Sequence, residues 1–269
     1  MSTSESEITS RSNQHVQNAR AVREGKVEEL VFVEGLRLAE DIQSAGAAIT
    51  DLFFTRKFVD ENVRGANLIR RVNDAGAAIH LIAPGVAETL ADTRSPAGII
   101  MLVRRPETGP GQLELPQVAA PLLVIGHRIN NPANAGAILR TAEAAGANGV
   151  ILTQDTADVF SPKGLRGAMG SSFRLPLWTG ASYTEAVDWC RNHNIATVGT
   201  EANTPIRHTE FDWKRPSALI LGAEGSGLNQ DELAAAQTIV RIPMQEPVES
   251  LNVAVAAGII LYEARRQRS

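Results

Sequence analysis

Ile242-Pro243-Met244-Gln245-Glu246-Pro247-Val248-Glu249-Ser250-Leu251-Asn252-Val253-Ala254-Val255-Ala256 is the stretch from which this chain is read. A strand-like apolar run stops at Pro243, a short polar turn follows, and Ser250-Leu251-Asn252 opens an apolar helix. Backbone N–H groups left free at such a helix start can hold a polar ligand. Ser250 alone is explained equally well as an ordinary N-cap, the commoner use of Ser there. Asn252 is harder to dismiss, because Asn is a poor helix former and stands here between apolar neighbours.

The same strand–turn–helix rhythm runs back through the C-terminal half. Strand-like runs lie at 122–125, 149–152, 173–177, 195–199, 218–221 and 239–242. Helical patterns fall between them at 135–145, 163–169, 184–193 and 228–236, and a final helix covers 251–266. Such alternation predicts an α/β fold with a mostly parallel sheet covered on both faces. Ligands of such sheets sit at the carboxyl ends of the strands.

The N-terminal half is a smaller α/β unit. After a tail over residues 1–10, expected to be disordered, come a basic helical stretch at 15–23 and strands at 30–33, 51–54, 79–82 and 98–103. Helical material is expected at 35–43 and 60–75. Arg104 to Gln117 contains Pro-Glu-Thr-Gly-Pro-Gly and reads as a linker. The expected division is a domain at 11–103, a linker at 104–117 and a second domain at 118–269.

Of 269 residues 43% are hydrophobic and 21% charged, enough to bury a core and too apolar for a disordered chain. Cys190 is the only cysteine, which excludes an internal disulfide and a cysteine-cluster zinc site and suits a reducing cytoplasm. No secretory h-region opens the chain, and no apolar run is long enough for a bilayer. The net charge of −4 argues against indiscriminate nucleic-acid binding. Locally the pattern differs, since 115–141 and 160–182 contain no acid while holding His127, Arg128, Arg140, Lys163, Arg166 and Arg174. These windows mark either buried α/β core or a face for an anionic ligand.

Two further stretches resemble sites. Gly126-His-Arg-Ile-Asn-Asn-Pro-Ala-Asn-Ala-Gly-Ala-Ile-Leu-Arg-Thr-Ala142 follows a strand, where a dinucleotide or P-loop enzyme would carry its phosphate fingerprint. Neither fingerprint is present. Asn134 reads as a helix cap, and Arg140 lies six residues on among apolar neighbours. Gly222-Ala-Glu-Gly-Ser-Gly-Leu228 closes another strand with three glycines around one carboxylate. By itself it reads as a plain turn, or as a loop that presses a ligand against the main chain.

Together the three stretches are specific. N-x-G-A-I-x-R-T-A, then L-G-x-E-G-x-G-L, then I-P-M with S-L-N-V and a terminal apolar helix closely resemble the SpoU (TrmH-like) family of RNA 2′-O-ribose methyltransferases, within the SPOUT superfamily. The resemblance covers about 121–267 in order and spacing. The N-terminal half is more loosely similar to the ribosomal-protein-like substrate-binding domain of many members, through S-R-S-N, V-E-G-L-R-L and S-P-A-G-I-I. The resemblance implies a deep trefoil knot in the C-terminal domain, S-adenosylmethionine as cofactor and an obligate homodimer. It places Thr200, Gly222, Ile242, Met244 and Leu251 around the cofactor and Asn134, Arg140, Glu224, Ser250 and Asn252 at the reacting centre, with Arg140 reaching the partner's site. Small departures occur: Asn131 stands where Asp is frequent, Ala223 where Asn or Ser is, Gln245-Glu246 where Gly is, and Ala254 where Ser is.

The implied reaction is attack of a ribose 2′-oxygen on a sulfonium methyl. It asks for positioning and a place for one proton rather than for a metal. A guanidinium is a poor base, so Arg140 is read as a donor fork on phosphate and 2′-oxygen. Lys163, Arg166 and Arg174 are expected phosphate contacts, with Arg11, Arg20 and Arg23 as candidate RNA-binding residues of the N-terminal domain. His15, His80, His127, His193 and His208 are too scattered along the chain to be read as ligands or bases. Ribosomal RNA is the expected substrate, in the cytoplasm and away from membranes. The alternatives are transfer RNA, a non-catalytic RNA-binding or ribosome-assembly role, or a nucleotide-cofactor enzyme on small molecules.

Overall fold

Asn13 follows a turn at Arg11-Ser12, and its side chain accepts the His15 N–H, which starts the helix α1 (Gln14–Arg23). The computed structural model that shows this describes residues 7–113, 115 and 119–269. The chain divides into two compact units, one running to Pro106 and including Phe160–Phe173, the other holding Glu107–Val159 and Arg174–Ser269.

In the first unit α1 is followed by β1 (Leu30–Glu34), α2 (Leu36–Ser44), β2 (Ile49–Phe54), α3 (Arg56–Glu61), α4 (Val63–Asp74), β3 (Ala78–Leu81), α5 (Pro84–Leu90) and β4 (Ile99–Arg104). The sheet order is β1-β4-β2-β3, with β2 and β3 parallel and β4 antiparallel to both its neighbours. Val16, Ala19 and Val22 of α1 fill the core against Phe32, Phe53, Ile100 and Leu102. Helical material expected at 60–75 is two helices, because Asn62 takes an extended conformation between α3 and α4. At least Ile8 of the tail expected to be disordered belongs to the fold. Ile8 pairs with Ile82, donating to the Leu81 carbonyl at 2.9 Å and accepting from Ala83 at 3.0 Å. Residues 1–6 of that tail lie outside the described residues.

The second half of the chain adds β5 (Leu122–Gly126), α6 (Pro132–Ala145), β6 (Gly149–Thr153), α7 (Pro162–Ala168), α8 (Ser171–Arg174), β7 (Leu177–Ala181), α9 (Tyr183–Asn192), β8 (Ala196–Thr200), β9 (Ser217–Leu221), α10 (Gln230–Ala235), β10 (Thr238–Val240) and α11 (Val253–Arg268). Six strands form one sheet in the order β10-β8-β9-β5-β6-β7, and every pair is parallel. All five residues of β5, β6 and β9 are buried, which is why they read as unbroken apolar runs. β5 is flanked by β6 on one side and β9 on the other, so the strand order reverses there.

The strand expected at 173–177 begins at Leu177 instead, since Pro176 cannot donate to a ladder and α8 runs to Arg174. Residues 160–173, read as part of the C-terminal domain, cluster with the first unit, where α7 packs against β1. The stretch read as a linker is partly structured. Gly109 donates to the Leu177 carbonyl at 3.0 Å, Pro110–Gln112 forms a 3-10 turn, and Leu113 is buried in the second unit's core. Residues 114, 116 and 117 of that linker, and residue 118, the first of the expected domain, lie outside the described residues.

Candidate active site

Asn131, not Asn134, caps α6. Its side chain accepts the Ala133 N–H at 3.0 Å, and Pro132 occupies the first helical turn, where a missing N–H costs nothing. That leaves the Asn134 side chain free for tertiary contacts. Its Nδ2 donates to Glu224 Oε1, and its Oδ1 accepts from Asn252 Nδ2 at 3.3 Å. Asn252 in turn caps α11, accepting from Ala254 at 2.9 Å and Val255 at 3.3 Å. The final helix therefore starts at Val253, two residues later than the sequence suggests, and Ser250 is not its cap. Asn252 has both roles at once, cap through Oδ1 and tertiary donor through Nδ2.

α6 and α11 pack together with their starts side by side, since Asn134 meets Asn252 near one end and Arg265 donates to the Ala144 carbonyl near the other. Their N-terminal ends open on a cavity of about 650 Å³ beyond the carboxyl ends of β8, β9 and β10. The glycine loop 222–228 forms one wall. Gly222 is required there, because a Cβ would sit 2.5 Å from the Gly227 carbonyl carbon and 2.7 Å from the Leu228 nitrogen. Gly227 donates to Ala223 at 2.9 Å and closes the loop.

Asn134, Glu224, Ser250, Asn252, Thr200, Gly222, Ile242, Met244 and Leu251 all line this cavity. Arg140 does not. Six residues along α6 turn it to another face, where it is exposed. Lining residues that sequence reasoning missed include Leu221 and Val240 at strand ends, Glu201, and Ile260 of α11. The rule that ligands lie at carboxyl strand ends points to the first two; nothing in the local sequence marks Ile260. The described lining carries three carboxylates, Glu201, Glu224 and Glu249, and no Lys, Arg or His. Such a wall suits a ligand with a cationic centre and opposes a polyphosphate.

A buried network braces the loop after β5. His127 Nδ1 meets Thr153 Oγ1 at 2.9 Å and Nε2 meets Glu232 Oε1 at 3.0 Å, while Arg128 Nη2 pairs with Glu232 at 2.9 Å. An ionised carboxylate only accepts, so His127 carries its proton on Nε2 in this contact. Burial pushes the Glu232 carboxyl up, but the Asn229 backbone N–H, His127 and Arg128 more than offset it and hold it below its ordinary value. Tyr183 donates to the Glu232 carbonyl at 2.7 Å, and burial, then the Glu232 charge, push its phenol up to about 12. This network joins the first motif's loop to α10, which follows the glycine loop.

The basic residues fare differently. Arg166 pairs with Asp92 at 2.7 Å and Arg174 with Glu143 at 2.5 Å, so their acid-free sequence windows are not acid-free in space. Arg23 Nη1 donates to the carbonyls of Thr89, Leu90 and Ala91 at 2.9–3.0 Å, capping the end of α5. Lys163 and Arg11 are exposed and Arg20 is half-buried. Two of the histidines set aside as scattered meet, His15 and His80 flanking Asp51. No helix of the described residues is long and apolar enough to cross a membrane.

The SpoU rRNA Methylase family model matches residues 121–262. The chain is 32% identical over 264 residues to an uncharacterized tRNA/rRNA methyltransferase of Synechocystis sp., covering 97% of this chain and 94% of that one. It is 32% identical over 212 residues to the 23S rRNA (guanosine-2′-O-)-methyltransferase RlmB of Shewanella oneidensis, covering 77% and 86%. Among solved structures, the AdoMet-bound rRNA methyltransferase from Sinorhizobium meliloti superposes with a TM-score of 0.85 at 28% identity, covering 97% of both chains. With the parallel sheet, the three converging loops and these likenesses in place, the chain belongs to the SpoU rRNA Methylase family.

Proposed function

We propose that this protein is an S-adenosylmethionine-dependent methyltransferase that modifies ribose 2′-oxygens of ribosomal RNA. The observation that carries the reading is the Asn134–Glu224–Asn252 network, which draws three distant stretches of chain to one cavity wall at the carboxyl end of the sheet. A nucleoside with a sulfonium and no phosphate fits this cavity. Leu221, Val240 and Ile260 offer apolar surface, and the carboxylates suit the cationic centre. Thr200, Gly222, Ile242, Met244 and Leu251 are the residues that would hold it, and when bound it supplies an activated methyl group. The same lining disfavours a phosphate-bearing nucleotide cofactor.

The chain's own residues supply position and a proton acceptor. Asn134 fixes Glu224 through one carboxylate oxygen, and Oε2 remains to accept the 2′-hydroxyl hydrogen as the oxygen attacks. Ser250 and Asn252 order the loop at the start of α11. Arg140 stands outside its own protomer's cavity, which suits a role across a homodimer, reaching the partner's site as a two-pronged donor to phosphate. Val255, Ile259 and Tyr262 form an exposed apolar stripe at helical spacing along α11, the kind of surface a second copy covers. A deep trefoil knot in the second unit and a ribosomal-protein-like RNA-binding role for the first belong to the same proposal. So do Lys163, Arg11 and Arg20 as phosphate contacts and a cytoplasmic location. Ribosomal RNA is preferred as substrate because RlmB proteins recur among the relatives.

The test is transfer of labelled methyl from S-adenosylmethionine to unmodified total RNA, followed by nuclease digestion. Label in a nuclease-resistant dinucleotide, absent with Arg140→Ala, is the expected result. Cofactor binding without transfer to ribosomal RNA would overturn the substrate, and no binding at all would overturn the enzyme.

A further inference from the structure

The geometry points to a divalent transition-metal site in the first unit, formed by His15 of α1, Asp51 of β2 and His80 of β3. It is separate from the cavity described above and independent of the proposed reaction. Asp51 Oδ1 lies 2.9 Å from His80 Nε2 and 3.8 Å from His15 Nδ1. The three ligand atoms all fall within 4.8 Å of one another. Four-coordinate zinc with bonds of roughly 2.1 Å sets its ligand atoms about 3.4 Å apart, and the two measured separations bracket that spacing.

The surroundings favour a cation over a simple hydrogen bond. His80 is 11% exposed and stacked on Phe53 at 4.6 Å between centroids, so its ring is held in place. Its other neighbour is the His15 ring, at 4.3 Å. Among the described residues no Lys or Arg forms an ion pair with Asp51, and its partners are the two imidazoles and Thr50. One carboxylate and two neutral imidazoles leave a net negative set with nitrogen donors, which selects zinc, cobalt, nickel or copper over magnesium or calcium. His15 is 54% exposed in the first turn of α1, so it can close on the ion and leave a fourth position to water. A bound ion would fasten α1 to the two parallel strands.

Tag-free, chelator-stripped protein is titrated with Co²⁺, and Zn²⁺ uptake is followed by equilibrium dialysis. One Zn²⁺ per chain and visible cobalt bands displaced by Zn²⁺ are expected, with no response to Mg²⁺. His15→Ala, an exposed position whose loss leaves the fold intact, and Asp51→Asn should each weaken binding at least ~10-fold. His193→Ala, which stacks on Trp189 elsewhere, should not. No uptake by the wild type at micromolar zinc overturns the site, as does uptake that His15→Ala leaves unchanged.

Discussion

Asn134 and Glu224, ninety residues apart in sequence, share a hydrogen bond at the cavity wall. Both groups are solvent-accessible, so the bond adds little to stability. Glu224→Gln should therefore shift unfolding free energy by less than ~0.5 kcal/mol while lowering methyl transfer ~10²-fold, the usual scale for losing a general base. Single-turnover rates beside denaturant curves check this. Full activity in Glu224→Gln removes Glu224 from the proton path and leaves it a loop-ordering residue.

Arg140 and the cavity occupy different parts of one protomer, and that separation makes a mixing experiment decisive. Arg140→Ala and Glu224→Ala should each be inactive alone. In a composite site built from two chains, a refolded equal mixture regains about a quarter of wild-type activity, because half the dimers are mixed and each has one intact site. No recovery on mixing would place Arg140 and Glu224 in the same protomer's site.

Val255 and Tyr262, each 52% exposed on α11, should tolerate Asp in the folded chain. In the dimer proposed above each substitution buries an unpaired charge, so sedimentation should shift from dimer to monomer without loss of helix content. A wild type that sediments as a monomer at micromolar concentration sinks the dimer.

Much of the site is legible because it consists of polar residues placed where apolar periodicity asks for something else. Asn252 shows the limit of that reasoning: it is both anomaly and ordinary cap, and sequence cannot separate roles held by two ends of one amide. Asn134 reads as the cap of α6 because its neighbours are apolar, yet Pro132 in the first turn makes Asn131, three residues earlier, the cap. A stretch free of acids in sequence need not be free of them in space. Arg166 and Arg174 find carboxylates at Asp92 and Glu143, far along the chain, and Arg23 finds carbonyls at the end of α5. The parallel sheet was legible because burial on both faces leaves unbroken apolar runs, whereas α5 and the break at Asn62 have no periodic mark.

Cys190 sits at 0% exposure in the core of the second unit, and burial pushes its thiol up to about 12. With almost no thiolate at neutral pH, it should resist alkylation in the folded protein. One thiol per chain should react with a disulfide reagent only in denaturant. Prompt reaction under native conditions would show that α9 opens locally.

Glu232 is where the two motif loops are fastened, and its loss tests that bracing. Glu232→Ala leaves Arg128 without its carboxylate and the Nε2 of buried His127 without an acceptor, and removes the capping box of α10, a cost of roughly 2–3 kcal/mol. The pH dependence has a definite sign. The folded carboxyl titrates below its ordinary value of 4.5, so its contribution is complete above that pH and disappears as acid drives it through the lower folded value. The stability gap between wild type and Glu232→Gln should thus be constant from neutral pH down to about 4.5 and shrink below it. Denaturant titrations at stepped pH measure the gap directly. A gap that persists unchanged in acid would mean that packing and neutral hydrogen bonds, rather than the charge on Glu232, hold the loop after β5.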